Sequence, residues 1–418
     1  MKNKLLVLML GLLGLGIGIK LIPSQASIAV SPSQFSSETV SQSEEMMSDT
    51  IVKAQTQFGF KLFEQLTQVS ANENIFISPS SIILALSMLY NGADGETQQE
   101  IQKTLEYQGM SLAEVNTANQ LLQQKLNQTT SDIQLAIANS LWLREGFSVE
   151  DDFLQNNQNY YDAEVAELDF SSPEATQTMN NWVQEKTKGK IDKIIDQVNP
   201  NDVMFLINAI YFKGNWTLKF QESQTQNQSF YLEDGTQKQH PLMSQNNKFL
   251  YLETEQFQGI ALPYGEDKAL SLYVFLPKPE SSMSDFLQIL TVENWEKWMT
   301  RFSQTPGSIS LPKFTLEYDI ELNPILQKLG MNSSFNSNQA NFSNLSQSED
   351  LFVSIVKHKT FLDLNEEGTE AAASTAIGIR TTSIELSPFQ MIVNRPFFCA
   401  IRDNETGTIL FMGVIYNP

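Results

Sequence analysis

Cysteine and histidine are scarce in this chain of 418 residues. The single cysteine, Cys399, excludes an intramolecular disulfide and a cluster of metal-bound thiolates. It lies in an apolar run and is interpreted as a buried strand residue. The two histidines, His240 and His358, leave little material for a zinc site or for a Ser-His-Asp hydrolase. The sequence therefore predicts neither a metal nor a cofactor.

Positive charge is also scarce. The chain has 27 Lys and Arg residues against 48 Asp and Glu residues, which gives a formal net charge of -21 and a pI near 4.5. No cluster of lysines or arginines stands out, so binding to nucleic acid, to heparin-like polyanions or to anionic lipid is disfavoured. Hydrophobic residues make up 41% of the chain and aromatic residues 10%, which is enough for a substantial core.

A long apolar run stands at the N-terminus. Lysines precede the run Leu5–Ile19, and small residues ending at Ala26 or Ala29 could form a cleavage site. Residues 1–29 are therefore predicted to be a signal peptide, with an uncleaved N-terminal anchor as the alternative. Residues 30–48 are rich in Ser, Gln and Glu, which is typical of a disordered tether. The expected localisation is secreted, extracellular or periplasmic, with tethering to a membrane as the alternative.

Residues 49–418 contain no second polar linker and are predicted to form one domain. Helical spacing of apolar residues, as in Thr50–Val69, alternates with strand patterns, as in Phe397–Arg402. This mixture of helices and mostly antiparallel strands predicts an α+β fold. The most apolar long run, Val203–Phe212, is interpreted as a central strand buried on both faces. Asn208 in its middle then needs a hydrogen-bonding partner.

Small residues dominate the stretch Glu366–Ser383. With a period of two, one face runs from Thr369 through alanines to isoleucines, and the other runs from Glu370 to Arg380. Short side chains lose little rotamer entropy when they become ordered, and they give up little apolar burial when they stay exposed. This segment therefore suits both a loop and a buried strand. A helix or a low-complexity linker is the alternative.

Five motifs follow one another along the chain: Asn74–Ile82, Asn208–Trp216, Leu311–Phe314, Glu366–Ser383, and Asn394–Phe397 with Ile409–Gly413 and Asn417–Pro418. In content and order they resemble the signatures of the serpins, protease inhibitors with a mobile reactive-centre loop that inserts into a sheet. The motifs span nearly the whole chain after residue 48. The resemblance implies a secreted, bacterial-type serpin with three β-sheets, about nine helices and a reactive-centre loop at about residues 366–394.

The resemblance also implies site residues. A polar cluster where the central strands of the main sheet part would comprise Ser78, Ser81, Asn208 and His358. The point where the loop begins to enter the sheet would be lined by Trp216, Lys313 and Glu366. The hinge would comprise Glu366, Glu367, Gly368, Thr369, Glu370, Ala371, Ala372 and Ala373. On structural grounds alone, the residues of the first two groups could equally be satisfied core polar groups and one ion pair.

The function implied is suicide-substrate inhibition, which needs no catalytic residue of the inhibitor. A serine protease would attack the loop, become acyl-linked, and be displaced when the hinge inserts into the main sheet. Gly368 can bend without a Cβ penalty, and the small residues after it meet no steric resistance, which favours an inhibitor. A non-inhibitory storage, chaperone-like or carrier serpin is the alternative. The expected partner is a target serine protease, covalently bound to a monomer.

The family's usual spacing from Glu366 puts the scissile bond at Thr382–Ser383. Thr382 before the bond suggests an elastase-like or subtilisin-like protease with a small apolar pocket. The second candidate is Arg380–Thr381, which suits a trypsin-like enzyme. Cleavage there shortens the inserted segment, so a trypsin-like enzyme is expected to use the loop mainly as a substrate.

Two alternatives come from other classes of protein. A secreted serine hydrolase would need a G-x-S-x-G nucleophile elbow, which the sequence lacks. His358 beside a strand is interpreted as a buried hydrogen-bonding residue and not as a catalytic base. A surface adhesion module is suggested by the tether alone.

Overall fold

The computed structural model describes residues 37–126, 132–348, 350–369 and 389–418. From Ser43 to Pro418 the chain forms one compact unit. The predicted α+β class is confirmed, and the described residues contain nine α-helices. The helices are α1 Ser37–Val69, α2 Pro79–Gly92, α3 Gly95–Thr104, α4 Leu112–Leu126, α5 Asp151–Tyr161, α6 Glu174–Lys186, α7 Met283–Ile289, α8 Val292–Met299 and α9 Asn323–Lys328.

Helix α2 lies inside the molecule, and its first turn is set by local sequence. Pro79 occupies a position where a missing N–H costs nothing. The Ser78 side chain caps the helix by accepting a hydrogen bond from the backbone N–H of Ser81. Every residue of α2 is buried. The capping serines are therefore held in the interior, where their remaining hydrogen bonds must go to other buried groups.

Fifteen strands occur in the described part of the chain. They are β1 Ile75–Ile77, β2 Ile133–Arg144, β3 Glu164–Leu168, β4 Met204–Asn215, β5 Gln226–Tyr231, β6 Gln237–Glu253, β7 Phe257–Tyr264, β8 Leu270–Pro277, β9 Ser303–Pro312, β10 Phe314–Glu321, β11 Ile355–Leu364, β12 Gly368–Thr369, β13 Phe389–Ile392, β14 Phe397–Asp403 and β15 Ile409–Ile415. A nine-stranded sheet has the order β1-β15-β14-β8-β7-β6-β9-β13, with β5 also paired to β6. A six-stranded sheet, hereafter the main sheet, has the order β10-β11-β12-β4-β2-β3.

The resemblance implies three sheets, whereas the described strands form two hydrogen-bonded networks. Strand β6 explains the difference. It is 17 residues long, and it pairs with β5 through its first part, with β9 through its middle and with β7 through its end. Because β6 belongs to two groups of strands, it joins them into one network.

The main sheet parts at one end. Strands β4 and β11 pair in parallel over residues 205–211 and 355–361. Beyond that region β12 lies between them, so that Thr369 pairs with Leu364 of β11 on one side and with Gly214 of β4 on the other. Two residues of the predicted hinge therefore already form a short strand of the main sheet.

Strand β4 runs through the core. Residues 204–212 are all buried and Val203 is 3% exposed, which confirms the prediction that this run is buried on both faces. Leu206 belongs to the apolar cluster that contains α2, and Phe205 belongs to the cluster that contains α6. Cys399 is buried in β14, as its apolar surroundings predict.

Helix α1 begins earlier than the sequence predicts. It starts at Ser37, inside the segment 30–48 that is predicted to be a disordered tether. Residues 37–48 contain neither proline nor glycine, so a helix that is anchored by the apolar residues after Thr50 can extend through them. Residues 1–36 lie outside the described residues, and the signal peptide or anchor stays a prediction. Among the described helices, none combines the length and apolar content that crossing a membrane requires.

Candidate functional site

Three polar side chains face one another across the buried middle of the main sheet. The strand register pairs His358 of β11 with Asn208 of β4, and Asn208 with Asn139 of β2. Each is at most 4% exposed, so each needs hydrogen bonds within the protein. Sequence reasoning identified His358 and Asn208 but missed Asn139. The sequence does contain a feature that could have identified Asn139: it interrupts the apolar pattern of β2, as Asn208 interrupts that of β4.

These residues and the start of α2 form one hydrogen-bonded network. His358 Nε2 accepts the backbone N–H of Ser78 at 3.2 Å, so Nδ1 carries the proton and donates to Asn208 Oδ1 at 2.5 Å. Asn208 Nδ2 donates to the Ser81 hydroxyl and to Asn139 Oδ1, both at 2.5 Å. We call Ser78, Ser81, Asn139, Asn208 and His358 the gate cluster. It joins α2 to β11, β4 and β2.

The gate cluster requires a neutral His358. Burial lowers the pKa of its imidazole to about 3 from the ordinary 6.5. One ring nitrogen accepts a backbone hydrogen bond and the other donates to an asparagine, so neither is free to take a proton from a nucleophile. The geometry therefore supports a structural role for His358.

Acid is expected to destabilise the gate cluster. Below pH 6.5 the unfolded chain protonates His358, whereas the folded chain does not until about pH 3. Neutral His358 therefore makes its full contribution to the free energy of unfolding above pH 6.5. This contribution is lost as the pH falls from 6.5 towards 3, by up to about 1.4 kcal/mol per pH unit. Urea unfolding at pH 7, 6, 5 and 4 should show a shallower pH dependence for His358→Gln than for the wild type. Equal slopes for the two proteins would contradict this assignment.

A second group of residues holds the start of the hinge where the main sheet parts. Lys313 Nζ lies 2.7 Å from Glu366 Oε2, and the Thr225 hydroxyl donates to Glu366 Oε1 at 2.8 Å. Burial alone would raise the pKa of Glu366, but the hydrogen bonds from Lys313 and Thr225 outweigh it and lower that pKa. Glu366 is therefore held as a carboxylate. Sequence reasoning expected Lys313 and Glu366 here and missed Thr225.

Trp216 binds the start of the hinge and the residue before it through both of its N–H groups. The indole N–H donates to the carbonyl of Asn365, and the backbone N–H donates to the carbonyl of Glu367, both at 2.9 Å. The Trp216 ring stacks on Tyr264 with centroids 4.4 Å apart. The Tyr264 and Thr369 hydroxyls are hydrogen-bonded at 2.7 Å. Sequence reasoning missed Tyr264, because it belongs to β7 of the other sheet and no local pattern links it to the hinge.

Gly368 is enclosed by the backbone of β4. A Cβ at this position would lie 1.9 Å from the carbonyl oxygen of Gly214 and 2.7 Å from Cα of Asn215. The sequence argument for glycine here was freedom to bend. The structure adds a steric reason, because no larger residue fits at this position of β12. Thr369, the next residue, is fully buried.

The remaining predicted site residues lie outside the described residues. They are Glu370, Ala371, Ala372 and Ala373 of the hinge, the bond Thr382–Ser383 and the bond Arg380–Thr381. The structure thus brings the predicted residues together as two groups, the gate cluster and the hinge support. The hinge support comprises Trp216, Thr225, Tyr264 and Lys313, which contact residues 365–369.

The sequence and the fold of the whole chain match known proteins. A family model described as Serpin (serine protease inhibitor) matches residues 53–418. The chain belongs to the serpin family. Human leukocyte elastase inhibitor is 35% identical to this serpin over 382 residues, which cover 88% of this chain and 100% of that protein.

Solved structures of serpins share the fold. The crystal structure of Tengpin, a thermophilic serpin in the native state, aligns with this serpin with a TM-score of 0.82 and 33% identity, covering 88% of this chain and 94% of that chain. Human thyroxine-binding globulin complexed with thyroxine aligns with a TM-score of 0.80 and 30% identity, covering 89% and 99%. The relatives of this serpin thus include a protein named as an elastase inhibitor and a protein named as a thyroxine-binding globulin.

Proposed function

We propose that this serpin is a suicide-substrate inhibitor of serine proteases with elastase-like or subtilisin-like specificity. The observation that carries the proposal is strand β12. Gly368 and Thr369 already lie between β11 and β4, in register with both neighbours. The residues that follow them are small as far as Ala373 apart from Glu370, which belongs to the other face of the period-two pattern. Lengthening β12 is therefore a direct continuation of pairing that exists in the intact chain.

Insertion of the loop exchanges one ladder of hydrogen bonds for two. The seven register pairs between β4 and β11 must separate, and the new strand then pairs with both. About a dozen residues gain ladder hydrogen bonds at roughly 1 kcal/mol each, so the inserted state is the more stable one. The hydrogen bond between His358 and Asn208 crosses the same junction and must break or rearrange. The intact fold is therefore a kinetic trap whose lifetime is set by this barrier.

The inhibitory step uses the chemistry of the protease. Its serine attacks the carbonyl of Thr382, the bond to Ser383 breaks, and an acyl-enzyme forms with the hinge end of the loop. Release from Ser383 allows that end to enter the main sheet and to pull on the ester. Displacement of the catalytic groups by about 1 Å can slow deacylation by ~10²-fold. The protease then remains acylated.

Mixing this serpin with pancreatic elastase or subtilisin is expected to give a covalent complex that survives boiling in detergent. A C-terminal fragment beginning at Ser383 should appear at the same time. Trypsin serves as the matched control, because cleavage at Arg380–Thr381 shortens the inserted segment and should give mainly cleaved serpin. Clean cleavage by elastase and subtilisin without any stable complex would refute the inhibitory proposal.

A non-inhibitory carrier is the second candidate. Human thyroxine-binding globulin, complexed with thyroxine, shares the fold at 30% identity, so the fold alone does not decide the function. The position of the hinge favours an inhibitory function. Thr369 already lies between β11 and β4, where an inserting loop would begin, and a protein that never inserts its loop does not need this pairing. A serine hydrolase is disfavoured by the position of His358, whose ring nitrogens are both engaged in the gate cluster.

We further propose that the protein acts outside the cytoplasm, as a monomer, on a protease that reaches it from solution. The apolar run Leu5–Ile19 and the residues after it support export, with the N-terminal anchor as the alternative. The net charge of -21 disfavours binding to a heparin-like activator or to a nucleic acid, because both are polyanions.

A further inference from the structure

The turn that joins β11 to β12 is closed by its own backbone. It spans residues 365–368, and the backbone N–H of Asn365 donates to the carbonyl of Gly368 at 2.9 Å, while the N–H of Gly368 donates back to the carbonyl of Asn365 at 3.2 Å. The turn places two adjacent carboxylates, those of Glu366 and Glu367, at the end where the main sheet parts. Two negative charges side by side repel each other unless cations lie close to them.

Each of the two carboxylates has its own lysine. Glu366 pairs with Lys313, as described above, and Glu367 pairs with Lys219. The side chains of Lys219 and Glu367 are 26% and 22% exposed, so this ion pair is largely shielded from water. A partly buried pair is screened by dissolved salt less than a pair at the open surface is. Lys219 therefore makes a charged contact with the hinge that is additional to the hinge support.

The two lysines belong to opposite halves of the parted sheet. Lys313 immediately precedes β10, which pairs with β11, whereas Lys219 lies in the segment that follows β4. Strand β12 lies between β11 and β4. The two ion pairs therefore fasten the turn to the strands on each side of β12, and together they keep β12 in the space between them.

The backbone around Lys219 is itself fixed. The backbone N–H of Thr217 donates to the carbonyl of Pro263 in β7 at 2.9 Å, and the backbone N–H of Phe220 donates to the carbonyl of Glu366 at 3.0 Å. The segment that carries Lys219 is thus bound both to the other sheet and to the turn. Because this backbone is already ordered, forming the ion pair costs less conformational entropy than it would on a mobile loop.

Strand β12 needs support because it is very short. It contributes two residues to the main sheet, with one register pair to β11 and two to β4. A strand of this length makes too few ladder hydrogen bonds to be stable alone, and such elements open locally more easily than the rest of a fold. Contacts of the adjoining turn therefore determine what fraction of the time β12 stays in the sheet.

We propose that Lys219 is a positioning residue, which holds β12 in register in the intact chain through its ion pair with Glu367. Lys219 lies outside the five sequence motifs, and only the fold brings it to Glu367. The consequence for inhibition rests on the proposed function. Insertion starts from register pairs that already exist, so the loop enters the main sheet before deacylation finishes.

Hydrogen exchange of the full chain, measured by mass spectrometry on the peptide that contains residues 366–369, tests the proposal without a protease. Lys219→Gln should speed the exchange of this peptide by about three- to fivefold, and Lys219→Arg should keep the wild-type rate because arginine retains the charge. Lys297→Gln, which removes the ion pair with Glu293 in α8, is the matched control and should leave this peptide unchanged. Exchange in the rest of the chain reports whether each variant is folded.

A charge exchange separates the ion pair from other effects of the substitution. Lys219→Glu alone should speed the exchange of the same peptide by about tenfold or more, because it places a third carboxylate beside the turn. The double variant Lys219→Glu, Glu367→Lys should return close to the wild-type rate. Unchanged exchange in Lys219→Gln, or equal rates in Lys219→Glu and the double variant, would overturn the proposal.

The yield of stable complex with elastase tests the consequence for inhibition. Lys219→Gln should give about threefold less complex, relative to cleaved product, than the wild type at low salt. The difference should shrink at about 0.5 M NaCl, because salt screens the ion pair. Faster exchange with an unchanged or higher yield would refute this consequence alone. If the wild type forms no complex, the inhibitory proposal fails, whereas the exchange rates still decide whether Lys219 holds β12.

Discussion

Replacing Thr369 by arginine is expected to turn the inhibitor into a substrate. Thr369 is 0% exposed and lies between β11 and β4, with its hydroxyl 2.7 Å from that of Tyr264. Thr369 already lies in β12 of the intact chain, so an arginine there would leave an unpaired charge between β11 and β4 in every state that keeps this residue in the sheet, the inserted state included, at a cost of about 3–5 kcal/mol. Since about 1.4 kcal/mol is a factor of ten, insertion should slow by roughly a hundredfold or more, and deacylation would then finish first.

The measurement is the fraction of Thr369→Arg that elastase converts to stable complex rather than to cleaved product. Thr369→Ser is the matched control, because serine keeps the hydroxyl that reaches Tyr264 and should inhibit like the wild type. Circular dichroism should show a folded variant, since β12 contributes only Gly368 and Thr369 to the main sheet. A wild-type yield of complex from Thr369→Arg would show that inhibition does not require residue 369 to stay in the main sheet.

Cleavage of the loop at Thr382–Ser383 is expected to raise the melting temperature by on the order of 20 °C. The cut frees the segment after Thr369 to continue β12 between its two neighbours. About a dozen residues at roughly 1 kcal/mol each contribute on the order of 10 kcal/mol. At about 2 °C per kcal/mol for a large domain, this gives the expected rise.

Thermal unfolding of intact and cleaved protein provides the test. Cleaved Thr369→Arg is the control, because it carries the same cut but is hindered from inserting, and it should melt close to intact Thr369→Arg. If cleaved and intact wild type melt together, no energy is stored in the parted sheet. The proposed mechanism would then lose its driving force, even if a protease were bound.

The gate cluster shows how far sequence reasoning reached into the site. Motif resemblance named His358 and Asn208, and the strand register places them opposite each other. Asn139 was missed although a polar residue within an apolar strand was visible, because its importance depends on which strand lies beside β4. Register is a long-range property, and a shift by one residue would have sent the side chain to the other face.

The hinge support shows where sequence reasoning stopped. Lys313 and Glu366 were expected together, and they form an ion pair. Thr225 and Tyr264 could not be named, because they come from other elements that reach the hinge only in the folded chain. The start of helix α1 differs from the prediction for another reason. The composition of residues 30–48 favours disorder, but helix formation is cooperative, and the helix extends back to Ser37.

The sequence by itself determined the α+β class, the buried central strand and the absence of a disulfide within the chain, because these follow from local composition and periodicity. Only the tertiary structure decided that Gly368 and Thr369 already lie in the main sheet, that Trp216 binds the carbonyls of Asn365 and Glu367, and that Tyr264 binds Thr369. The physical reason is that the first fact depends on pairing between main-sheet strands that are distant in sequence, and the last on a contact with β7 of the other sheet. Contacts between residues far apart in sequence are set by the whole fold and leave no local signature.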